Sequence, residues 1–173
     1  MNRRARWLAA VACCALAMAV IAAVVNGGSK PVEASLAFVN SELQADGVRI
    51  GMPEPELIEL WGPGRYQEGF GGHLRDYPDR KCYIGIPGDR DNDLFGAIGH
   101  MEISNPGYAV FGIRPGDSIE SSRETLIARG FRPLDHDASF HVSGEFTIAL
   151  RGETEVQSIF VGFNDKDLAD RLY

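Results

Sequence analysis

The apolar positions of this chain change rhythm several times. From Trp7 to Val25 nineteen consecutive residues carry no charge, and Arg3, Arg4 and Arg6 precede them. At about 1.5 Å per helical residue the run is about 28 Å long, close to the hydrocarbon thickness of a bilayer. Helical spacing follows at Leu36, Val39 and Leu43, with a stop at Asp46-Gly47. A second short helix has Pro53 and Pro55 in its first turn, Glu54 and Glu56 at the positive end of the helix dipole, and Leu57, Leu60 and Trp61 as its apolar face; Gly62-Pro63-Gly64 ends it.

From Arg65 the rhythm shortens. Glycine-rich turns separate Arg65–Phe70, His73–Tyr77, Cys82–Ile86 and Leu94–Ser104, which predict strands and hairpins. The scheme then starts again. Ile113 to Ser118 leads into a helix from Ile119 to Arg129 with Gly130 as its stop. Strands follow at Phe140–Val142, Glu145–Leu150 and Val156–Phe163, where Ile159, Val161 and Phe163 alternate. Placing Gly51 on Gly116 gives an offset of 65 residues, and both halves then read as a glycine corner, a helix and a meander of strands. The expected fold class is α+β: two tandem helix-plus-antiparallel-sheet repeats, about 35–106 and 107–173, after an N-terminal transmembrane or signal helix.

Charge divides the chain. Residues 1–30 hold four basic residues and no acid, whereas residues 31–173 hold 13 basic against 24 acidic residues, a net of −11. The positive-inside rule keeps residues 1–6 as a cytoplasmic head and sends the domain across. The expectation is a signal anchor at 7–25 whose partner is the lipid bilayer, a linker at 26–34, and an extracytoplasmic domain at 35–173. The protein is then single-pass in the cell membrane with its C-terminal domain outside. Ala17-Met18-Ala19 offers a cleavage site inside the run, so secretion after cleavage is the alternative. An acidic domain repels phosphate backbones, which argues against nucleic acid as a partner.

Two segments carry a resemblance. Ile50-Gly51-Met52-Pro53-Glu54-Pro55-Glu56-Leu57 through Gly62-Pro63 resembles the corner motif of beta-lactamase inhibitory protein and of the small outer-membrane assembly lipoproteins. Phe111-Gly112-Ile113-Arg114-Pro115-Gly116-Asp117-Ser118 to Gly130-Phe131 resembles a half-repeat of exported bacterial proteins with a similar layout. The resemblance implies helix pairs packed on two small antiparallel sheets lying side by side. Departures accompany it: Pro53 stands where Thr is usual, Ser122 matches apolar Leu57, and Cys82 is alone where the inhibitory protein's halves carry disulfides. It implies a fold and not an inhibitory activity.

The chemistry-bearing residues are sparse. Asp89, Asp91 and Asp93 alternate as the first ligands of a calcium loop do, but Leu94 and His100 stand at the sixth and twelfth positions, where Gly and a bidentate Glu belong. Calcium is the one cofactor this pattern suggests, and a solvated turn explains the same residues. The four histidines lack zinc spacing, His136 and His141 being expected on opposite faces of a strand at the surface or rim. No Gly-x-Ser-x-Gly elbow is present and Cys82 reads as core. No catalytic residue is therefore assigned. Tyr66, Phe70, Tyr77, Tyr83 and Tyr108 are the candidate binding residues. The expected function is a non-enzymatic binding domain that recognises a protein or envelope component. The alternative is an envelope hydrolase using a carboxylate pair or Cys82.

Overall fold

The computed structural model describes residues 33–69 and 71–164; the expected anchor at 7–25, the head before it and Phe70 lie outside the described residues. The protein is α+β, as the pattern of helices and strands predicts. Helix α1 (Leu36–Glu42) is capped by Ser35, whose side chain accepts from the Phe38 amide. Its expected last residue, Leu43, instead opens β1 (Leu43–Gln44), which pairs with β6 (Ala109–Val110) in a separate two-stranded sheet.

Helix α2 (Glu54–Trp61) follows Pro53 and buries Leu57 completely, while Trp61 is half-buried and Leu60 is 48% exposed. The expected three-residue apolar face is therefore anchored by one residue. Helix α3 (Ile119–Ala128) buries Ile119, Ser122 and Leu126.

The main sheet is antiparallel and has eight strands: β2 (Arg65–Gly69), β3 (Gly72–Tyr77), β4 (Cys82–Pro87), β5 (His100–Ile103), β7 (Arg132–Leu134), β8 (Asp137–Ser143), β9 (Phe146–Arg151) and β10 (Ser158–Phe163). Their spatial order is β2-β3-β4-β5-β10-β9-β8-β7, so the last strand of each half meets its counterpart at the centre. The resemblance implied two small sheets; pairing of β5 with β10 joins the strands into one.

Strand β7 was not expected, and the expected strand over Leu94–Ser104 is only four residues long. Its first part is diverted. Asn92 accepts from the Leu94 amide through its side chain and from the Phe95 amide through its carbonyl, which curls the backbone. Ile98 then exchanges hydrogen bonds with the Gly51 corner: the Gly51 amide donates to the Ile98 carbonyl at 2.8 Å, and the Ile98 amide to the Met52 carbonyl at 2.9 Å. The Glu54 amide donates to the Gly96 carbonyl at 3.1 Å. Sixty-five residues on, the Gly116 amide donates to the Val156 carbonyl at 2.7 Å, the Val156 amide to the Asp117 carbonyl at 2.8 Å and the Ile119 amide to the Thr154 carbonyl at 3.0 Å.

One face of the main sheet is sealed across β4, β5, β10, β9 and β8. Across it run Ile84, Met101, Val161, Ile148 and His141 in register, then Cys82, Ile103, Ile159 and Leu150, all buried. Leu57, Leu126, Phe111 and Phe131 belong to the same core. His141 is therefore a core residue, 1% exposed, and not the rim histidine expected.

Candidate binding face

The opposite face of the main sheet keeps its large side chains partly or fully exposed. Because side chains alternate along a strand, the register assigns its members. One cross-strand row runs Arg65, Asp76, Tyr83, Glu102, Phe160, Ala149 and Phe140. The next includes Leu74, Gly85, His100, Gly162, Thr147 and Val142.

Two glycines shape this face. His100 has Gly85 on one side and Gly162 on the other. A Cβ on Gly85 would lie 1.9 Å from the His100 ring, and one on Gly162 would lie 2.7 Å from the Phe160 ring. Both rings therefore lie down over bare backbone, with centroids 5.3 Å apart and planes at 33°. The result is a low aromatic platform at the centre of the sheet. Burial holds the His100 ring below its ordinary pKa, with Glu102 opposing the shift in part, so the imidazole is neutral at neutral pH. Beside the platform Tyr83 stands 46% exposed. Glu102 accepts from the Ser158 hydroxyl at 2.7 Å and pairs with Arg151 at 3.2 Å, which orders the polar edge of the face.

At the β2 end, Asp76 is only 8% exposed, and no described residue offers it a hydrogen bond or an ion pair. It lines a cavity of about 580 Å³ with Trp61, Arg65, Tyr77, Asp79 and Arg80. Next to that cavity, Trp61 meets Tyr77 edge-on at 5.2 Å and stacks on Tyr108 at 5.9 Å. The Arg80 guanidinium lies 4.7 Å from the Trp61 ring centroid and donates to Asp46 at 2.8 Å and to the Tyr108 hydroxyl at 3.2 Å. The Tyr108 hydroxyl in turn donates to Asp46 at 2.7 Å.

A third cluster lies under α2 on the sealed side. Glu54, at the helix start, accepts from His73 at 2.7 Å and from the Arg75 guanidinium. Arg75 also donates to the Pro63 carbonyl. Burial pushes the Glu54 carboxyl up, but the hydrogen bonds and charges of His73 and Arg75 outweigh it and hold the group below its usual range.

The five expected aromatics do not converge. Tyr83 is on the open face. Tyr66, 60% exposed, faces the other way and packs on His73 with ring centroids 5.0 Å apart. Tyr77 and Tyr108 are buried, the Tyr77 hydroxyl donating to the Gly62 carbonyl at 2.9 Å. Burial and a fixed hydroxyl give these two a place in the core, and Tyr77 also lines the cavity beside Asp76. Phe70 lies outside the described residues.

Asp89, Asp91 and Asp93 sit in an exposed turn, and the Asp89 carboxylate accepts from the Asp91 amide at 3.0 Å, a local turn bond. Among the described residues no three His, Cys, Asp or Glu side chains gather to hold a metal ion. Cys82 is fully buried, and desolvation pushes its thiol up to about 12, which leaves no thiolate for nucleophilic attack near neutral pH.

Sequence reasoning missed His100, Phe160 and Asp76. The alternation that turns Ile159, Val161 and Phe163 inward also turns Phe160 outward, and an aromatic in that position was a readable signal. Nothing local marks His100 or Asp76, whose settings depend on neighbouring strands.

Fold and site together define an α+β domain built on one antiparallel sheet, sealed on one face and open on the other. No family model and no curated protein matches the chain. Two solved structures share the fold. One is an extracellular protein containing an SCP domain from Bacillus anthracis str. Ames, 11% identical, with a TM-score of 0.51 over 83% of this chain. The other is a cysteine-rich secretory protein from Staphylococcus aureus subsp. aureus Mu50, 14% identical, with a TM-score of 0.50 over 76% of this chain. This chain spans about half the length of each, 51% in both cases. Neither is a beta-lactamase inhibitory protein or a small assembly lipoprotein.

Proposed function

We propose that this protein is a non-enzymatic binding module, tethered outside the cytoplasm, whose open sheet face docks a protein partner. The carrying observation is the flattened His100–Phe160 platform with exposed Tyr83 beside it, on a face whose opposite side is sealed. Aromatic groups on a flat, partly desolvated surface are the usual anchors of protein interfaces. The hydrolase alternative loses Cys82, which is a buried thiol.

Placement outside the cell membrane rests on Arg3, Arg4 and Arg6 ahead of the uncharged run at 7–25. The naming of both fold neighbours as extracellular or secretory agrees with it. The tandem-repeat origin, and with it the likeness to the inhibitory-protein layout, belongs to the same proposal. Matched amide bonds at the Gly51 and Gly116 corners support it, as does the strand order that mirrors about β5 and β10.

A photocrosslinking amino acid at Tyr83 or Phe160, in cells, tests the docking face. Discrete adducts from these two positions, with none from Glu59 or Ile127, are the expected result. Adducts from the helix positions alone would overturn the reading.

A further inference from the structure

The cavity at the β2 end of the main sheet is lined by a carboxyl residue that folding leaves unpaired. A carboxylate removed from water without a partner is destabilising, and proteins normally pair it or keep it exposed. Asp76 does neither: it is 8% exposed, and no described residue pairs with it. Asp76 is among the residues that line the cavity. Arg65 stands directly across from it on β2, yet the two form no ion pair.

Resting on the docking reading above, we propose that this cavity receives a lysine or arginine side chain of the protein that docks on the open face, with Asp76 as its counter-ion. The other lining groups agree. Tyr77 and Trp61 give the cavity an aromatic wall, and Asp79 adds a second carboxylate at its rim. On the far side Tyr83 is in register with Asp76, which places an exposed phenol ring where the aliphatic stem of a long cation would lie.

An anion is the wrong ligand. It would meet two carboxylates, Asp76 and Asp79, against Arg65, because the Arg80 guanidinium is already held by Asp46, Tyr108 and the Trp61 ring. Residues 31–173 carry a net charge of −11, so the long-range field also favours a basic partner.

The test uses the full-length chain, isotope-labelled, in uncharged maltoside micelles. The probes are acetyl-Ala-Lys-Ala-amide, its arginine analogue and its acetyl-lysine analogue. Saturable shifts at Arg65, Asp76 and Tyr83 with the two cationic probes, at least tenfold weaker binding in Asp76→Asn, and none with acetyl-lysine are the expected outcome. Arg65→Gln, which removes a competing cation, is expected to bind the lysine probe about two- to threefold more tightly. Equal binding of lysine and acetyl-lysine, no binding of either cation, or weaker binding in Arg65→Gln would each overturn the proposal. The Tyr83 photocrosslink separates the two ideas. Adducts that persist unchanged in Asp76→Asn, together with an inert lysine probe, sink the cation pocket and leave the docking face standing. Lysine binding without any open-face adduct sinks the docking face instead.

Discussion

His141 is the residue most at odds with its surroundings. It lies on the sealed face of β8 opposite Ile148, with both ring nitrogens buried and without a partner of hydrogen-bonding geometry among the described residues. Burial lowers its pKa, the nearby charge of Arg123 adds to this, and a backbone interaction from Ser139 opposes it. In the unfolded chain the ring regains its ordinary affinity for a proton, so unfolding takes up protons as pH falls through about 6.5 and stability drops there. His100 shifts in the same direction and contributes likewise. Replacing His141 with Leu is expected to raise stability by about 1 kcal/mol, since an unsatisfied polar group is exchanged for an apolar one. Urea unfolding of this variant at pH 7 and 5 should also reveal a shallower acid loss than in the parent.

Cys82 behaves oppositely at the alkaline end. Its folded pKa is raised to about 12, so its contribution is complete below the unfolded value near 9 and is lost as pH rises towards 12. Native protein at pH 8 is expected to resist iodoacetamide and to be labelled only in denaturant; labelling of the folded form would mean that the thiol is open. Phe111 is another residue whose setting is tertiary. It adopts a positive φ of 55°, unfavourable for a bulky side chain, and its ring packs against Phe38 and Phe131 at 5.4 and 5.2 Å. Burial of that ring outweighs a local strain of about 1–2 kcal/mol.

Among elements, α2 holds the core through Leu57 as its single buried residue, as α1 does through Val39. What holds the first turn of α2 is polar: Glu54 receives His73 and Arg75 from β3. Charge-assisted bonds of this kind, partly shielded from water, are stronger than surface ion pairs. Glu54→Gln is therefore expected to cost about 1–3 kcal/mol, and proteolytic cutting near Glu59 should accelerate. If the variant melts like the parent, the cluster is ornamental and Leu57 carries the helix alone. The two corners tell a related story. Gly51 and Gly116 both have positive φ, 80° and 102°, which a side chain would strain. That spacing was legible in the chain, because glycine at a corner ahead of a helix has a local cause. The diverted stretch from Leu94 to Gly99 was not, because its apolar residues read as a strand until Ile98 is seen bonded to Gly51 and Met52.

For the molecule as a whole, the central pairing of β5 with β10 is decisive. It makes one sheet from strands of both halves, and the described residues cluster as one compact unit. Cooperative unfolding follows, because neither half can expose β5 or β10 without opening the shared core. Native-state hydrogen exchange is expected to give the slowest amides of β4 and β9 one common opening free energy. Two separate values would mean that the halves fold as independent units.

The chain by itself determined the α+β class, the positions of α2 and α3, most strand locations and the inward side of β10. Each of these depends on residues a few positions apart: a stop glycine, a helix-start proline, an alternation of period two. Tertiary structure alone decided that the strands join into one sheet, that Tyr77 and Tyr108 serve the core while Tyr83 faces out, and that His100 lies over Gly85. Those outcomes depend on which strand becomes a neighbour and in what register, and a shift of one residue would exchange the two faces of a strand. Local sequence has no means of encoding that choice; burying Ile84, Met101, Val161 and Ile148 against one another made it.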